Sequence, residues 1–79
     1  MRRMIVVRAV WDPEAGVWVA TSDDVKGLAT EAETQQALVE KLHVMIPELL
    51  EDGHDFDPDL PEIPVMIMSE QLAKIRVRA

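Results

Sequence analysis

Apolar and polar positions in residues 4–11 alternate with the period of a β-strand. One face would carry Ile5, Val7, Ala9 and Trp11, and the other Met4, Val6, Arg8 and Val10. Both faces are largely apolar. The pattern suits cover on each, a helix on one side and another subunit on the other, and a partly exposed edge strand would show the same pattern. Residues 12–16, Asp-Pro-Glu-Ala-Gly, read as a turn, because Pro13 presets φ and Gly16 takes a positive φ at no steric cost. Alternation resumes over residues 17–22, with Val17, Val19 and Thr21 on one face and Trp18, Ala20 and Ser22 on the other. Trp11 and Trp18 flank the turn, where a cross-strand contact helps to fix the hairpin register. A polar connection follows, and residues 28–32 read as a third strand with Leu28, Thr30 and Ala32 on one side. The connections are short, so a meander is the simplest topology.

The period then changes to that of a helix. Leu38, Leu42, Met45 and Leu49, flanked by Val39, Ile46 and Leu50, make one broad apolar face, with Gln36, Glu40, His43 and Pro47 opposite. Thr34 is the expected N-cap, since its hydroxyl can accept from an orphan N–H of the first turn. Glu31 and Glu33 add negative charge near the positive end of the helix dipole. Thr30 with Glu33 would form an alternative capping box, but the strand-like alternation of residues 28–32 favours Thr34. Pro47 removes one helical hydrogen bond. On the solvent face it is expected to bend the helix around the sheet. The helix should run to about Glu51 and end at Gly53.

Residues 52–61 are acidic, contain Pro58 and Pro61, and read as a loop. Residues 63–77 are β-like again, one long or broken strand interrupted at residues 69–74. The expected fold is α+β: a single domain over residues 1–79, ordered β-β-β-α-β, with an antiparallel sheet covered by one helix.

Composition sharpens this picture. A chain of 79 residues buries only about 60% of its unfolded surface. With no cysteine to staple it, homo-oligomerisation, as a dimer or higher, is the expected source of further burial. Fifteen acidic residues against eight basic ones give a net charge of −7. Such a surface repels nucleic-acid phosphates and speeds encounter with a basic protein. Arg2 and Arg3 are not followed by a signal peptide's apolar region. No apolar run approaches the ~20 residues needed to span a bilayer, so a cytoplasmic protein is expected.

Candidate chemistry is sparse. Asp55, Asp57 and Asp59 alternate like the start of an EF-hand calcium loop, but Leu60 and Met66 stand where a glycine and the closing glutamate are required. His43 and His54 lack a serine or cysteine placed beside them as a nucleophile. Asp23, Asp24 and Glu31 are the acids a metal-dependent nuclease would use, yet acids in turns and at strand ends are common on solvated surfaces. Lys74, Arg76 and Arg78 are too few to mark a nucleic-acid site and suit the protection of an edge strand. No catalytic, cofactor or metal site is expected, and no enzymatic activity.

The run Gly-Leu-Ala-Thr-Glu-Ala-Glu-Thr at residues 27–34, leading into the amphipathic helix, resembles the HicB-like antitoxin family. So does the hairpin Trp-Asp-Pro-Glu-Ala-Gly-Val-Trp-Val-Ala at residues 11–20, followed by Ser-Asp-Asp-Val at residues 22–25. The likeness is to the short, single-domain branch of that family and covers residues 4–51 well. It implies a partial ribonuclease H-like fold without nuclease activity. It also implies that the domain neutralises a small basic toxin that cleaves messenger RNA. Full-length members carry an additional DNA-binding domain, which is not expected in these 79 residues. Asp23, Asp24, Glu31 and Glu33 are the expected contacts for a basic partner, acting by occlusion and charge complementarity.

Overall fold

The structure is a computed structural model that describes residues 4–53 and 62–77. Its elements follow the expected order: β1 (Ile5–Asp12), β2 (Val17–Thr21), β3 (Ala29–Ala32), α1 (Gln35–Asp52) and β4 (Val65–Glu70). The first three strands form the antiparallel meander, with Trp11 opposite Trp18 and Ala20 opposite Thr30. The two indole rings meet at 5.3 Å between centroids and a tilt of 58°, a geometry that favours aromatic pairs.

The hairpin turn is built by Asp12. Its Oδ1 accepts from the backbone N–H groups of Glu14 and Ala15 at 3.1 and 3.3 Å. Gly16, at φ 69°, donates its N–H to the Asp12 carbonyl at 2.8 Å.

The sheet order is β3-β2-β1-β4. Here the expectation of a wholly antiparallel sheet is corrected: β4 pairs with β1 in parallel, from Ile5↔Val65 to Val10↔Glu70, and the sheet is mixed. The physical reason is the crossover. β3 and β1 are both antiparallel to β2 and so run the same way. The 18-residue α1 carries the chain back to the starting end of the sheet, which suits a parallel return. The last strand is also shorter than expected. Residues 71–77 take no regular structure and are exposed throughout.

Thr34 caps α1 as expected, accepting from the Ala37 N–H at 3.0 Å. At the other end the Gly53 N–H donates to the Leu49 carbonyl at 3.0 Å, with Gly53 in right-handed rather than left-handed backbone. The helix continues through Pro47, which is exposed. The fully buried row is Leu38, Leu42, Ile46 and Leu50. Met45 and Leu49, expected at its centre, are half-buried beside it. A strict four-residue repeat makes a ridge inclined to the helix axis. That ridge packs with Ile5, Val7 and Ala9 of β1 and Ala20 of β2 in one core.

Val25, in the connection expected to be polar, joins this core at 1% exposure. The local hydrogen bonds explain how. Ser22 Oγ donates to the Val6 carbonyl at 2.6 Å and accepts from the Asp24 N–H at 3.0 Å. Asp24 Oδ2 accepts from the Val6 N–H at 2.8 Å. These bonds prolong the β1 ladder past the end of β2 and hold the connection against the sheet. Among the described residues no helix is long and apolar enough to cross a membrane.

Two stability outcomes follow. Leu38→Ala should cost about 2–5 kcal/mol, because it opens a cavity in the closed part of the core, whereas Val44→Ala on the exposed helix face should stay within about 0.5 kcal/mol; denaturant titration separates them. Asp24→Ala should cost about 1 kcal/mol by orphaning the Val6 N–H, and Asp24→Asn, which keeps an acceptor, should recover most of it in the same titration.

Candidate functional site

The four acids proposed from the sequence do not form one cluster. Asp23 and Asp24 lie just beyond the end of β2, beside the start of β1. Asp24 is already engaged with the Val6 N–H, so its carboxylate belongs in part to the fold. Asp23 lies close enough to Arg8 to act on its charge. Glu31 is exposed on β3 opposite Val19, and its backbone carbonyl accepts from Lys41 Nζ. Glu33 is exposed between β3 and α1. Glu31 and Glu33 thus line the free edge of the sheet at β3, with Asp23 towards its other end.

Among the described residues no three His, Asp or Glu side chains are grouped as metal ligands would be. His43 is exposed on α1. His54 and Asp55, Asp57 and Asp59 lie outside the described residues, as does Arg78. Lys74 and Arg76 fall in the exposed segment after β4.

Two apolar surfaces stand out. The first is the sheet face turned away from α1. The register brings Val6, Arg8 and Val10 together with Met66, Met68 and Glu70. Val10, Met66 and Met68 are 46–49% exposed there. Across this face the Arg8 guanidinium donates to Glu70 Oε1, its Nε at 3.1 Å. That hydrogen bond, with the Glu70 charge, raises the Arg8 pKa above the usual value. The pair is about half exposed, and such pairs contribute little stability. The face was legible from the sequence as the second apolar side of β1.

The second surface was missed. A groove of about 580 Å³ opens between α1 and β4, lined by Leu42, His43, Ile46, Leu50, Val65 and Ile67 among others. It exists because β4 enters on the far side of β1 in parallel. No local signal announces that pairing.

The comparisons with known proteins agree with this architecture. The family model described as a domain of unknown function, DUF1902, matches residues 4–79. Among solved structures, the hypothetical protein TTHA1013 from the extremely thermophilic bacterium Thermus thermophilus is similar at 49% identity and a TM-score of 0.66, over 95% of this chain and 100% of that one. No curated protein matches. With a family model covering nearly its whole length, the chain belongs to the DUF1902 domain family.

Proposed function

We propose that this is a non-catalytic, HicB-like antitoxin-type domain of the cytoplasm. In this reading it binds a small basic RNA-cleaving toxin and neutralises it by occlusion. The observation that carries the proposal is the acidic free edge at β3, where Glu31 and Glu33 are exposed on a chain of net charge −7. A toxin that grips RNA must present positive charge, and an acidic protein surface competes for it directly. The β-β-β-α-β order, the Thr34 cap and the hairpin are consistent with the sequence likeness to HicB-like proteins, and with the ribonuclease H-like reading of the fold that it implies. Asp23 supplements the edge, while Asp24 contributes with its remaining acceptor capacity.

Purification together with a basic ribonuclease encoded beside it tests this reading. Co-elution and loss of RNA cleavage are expected, and neither should survive Glu31→Lys with Glu33→Lys at physiological salt. A toxin that stays fully active in excess wild-type protein rules the reading out.

A second reading, a self-associating module without a toxin, is favoured by the open sheet face. Three side chains of 46–49% exposure there, Val10, Met66 and Met68, form an apolar surface of the kind that marks interfaces. Met68→Glu should shift wild-type oligomers towards monomer in sedimentation velocity if that face is the contact; an unchanged distribution excludes it.

A further inference from the structure

The chain after β4 is unusual for so small a domain. Leu72, Ile75 and Val77 are 83–86% exposed, and residues 71–77 have no regular structure. The radius of gyration is 15.2 Å, against about 12 Å for a compact domain of this length, and the longest extent is 58 Å. These features describe an arm that carries aliphatic side chains away from the body. The same molecule has an apolar groove between α1 and β4.

We propose that the arm of one copy, residues 71–77, docks in the α1–β4 groove of a second copy, with Ile75 and Val77 inserted and the exchange made reciprocally about a two-fold axis. Size supports the match. A cavity of about 150 Å³ accepts one benzene-sized group, so 580 Å³ has room for several aliphatic side chains. Seven extended residues reach about 23 Å, enough to cross a groove walled by Leu42 to Leu50, which spans about 12 Å of helix.

Polarity supports it as well. At period two, Ile75 and Val77 share one side of the arm and Lys74 and Arg76 the other. Residues 74–77 are therefore apolar on one side and basic on the other, with Leu72 preceding them on the basic side. The groove it would meet is apolar with Glu62 in its lining, on a body of strongly negative charge. Among the described residues β4 pairs with β1 alone, so its other edge offers N–H and C=O groups to an incoming strand.

A second copy fits better than the arm's own groove. β4 runs from the groove towards the arm, and α1 is antiparallel to it: Ser69 Oγ hydrogen-bonds Gln35 at the start of α1, whereas the groove lies towards Leu50. Reaching back would need a tight reversal just after Glu70. Residues 69–77, Ser-Glu-Gln-Leu-Ala-Lys-Ile-Arg-Val, contain no Gly, Asn, Asp or Pro to make one. A reciprocal exchange fills both grooves and closes the assembly. The arm exchange supplies an interface for the self-associating reading and is independent of the toxin one.

The absence of cysteine from the chain makes the test direct. Full-length Ile75→Cys and His43→Cys proteins, one mass-tagged, are mixed and oxidised. A mixed disulfide between the two is expected, well in excess of that between Ile75→Cys and Val10→Cys on the outer sheet face. The doubly substituted chain should link into dimers. Internal linkage alone in that chain, or no excess of the mixed disulfide, overturns the proposal. Separately, Ile75→Asp with Val77→Asp should weaken self-association at least about tenfold. Its circular dichroism should be unchanged, because both side chains are outside the core. Undiminished self-association of that variant also overturns it, and would leave contact through the outer sheet face, which Met68→Glu tests on its own.

Discussion

The contact between one helix and one face of the sheet limits everything else in this molecule. Leu38, Leu42, Ile46 and Leu50 form a single ridge, and Ile5, Val7, Ala9 and Ala20 form the floor beneath it. With 79 residues there is no second helix among the described residues to cover the opposite face. The core is closed where α1 lies and open elsewhere, and the exposed Val10, Met66 and Met68 are the direct result. Their exposure follows from having two apolar sheet faces and one amphipathic helix.

The crossover adds the second limit. α1 must return the chain to the start of the sheet, and the return places β4 beside β1 in parallel. The ridge serves the three-stranded part of the core fully, yet Val65 and Ile67 at the sheet's far edge are left half-buried. The groove is the gap between what the helix can cover and what the fourth strand brings. A bulkier side chain in the four-residue row would narrow it only by straining the packing on β1.

The parts legible in the sequence are those fixed within a few residues. Asp12, Pro13 and Gly16 determine the turn; Thr34 and the change of period determine the helix start; the tryptophan pair reports the hairpin register. The direction of β4 was not legible, because an apolar Val-Met-Ile-Met run pairs equally well either way and the choice is made by the path of the whole crossover before it. Val25 was missed for a related reason. It is a lone apolar residue among polar neighbours, and it is buried only because Ser22 and Asp24 bond to Val6, sixteen and eighteen residues away. The end of β4 was overrun because residues 75–77 keep strand alternation after the pairing with β1 has stopped at Val10↔Glu70. Asp23, Asp24, Glu31 and Glu33 are all exposed, but their grouping depends on register. β3 separates Glu33 from Asp23 along the sheet, and a spacing along the chain does not reveal that.

Register also bears on whether the surfaces compete. The sheet order β3-β2-β1-β4 puts the acidic edge and the groove at opposite sides, three inter-strand spacings or about 14 Å apart. A copy seated at β4 would leave Glu31 and Glu33 open at β3. Self-association and the binding of a basic protein can therefore coexist on one chain. The charge of each copy then adds to the other's: a two-fold assembly doubles the negative surface offered to a basic partner while hiding apolar area that a single copy exposes. In so small a domain, the arrangement that completes the fold would also strengthen the field through which it attracts a partner.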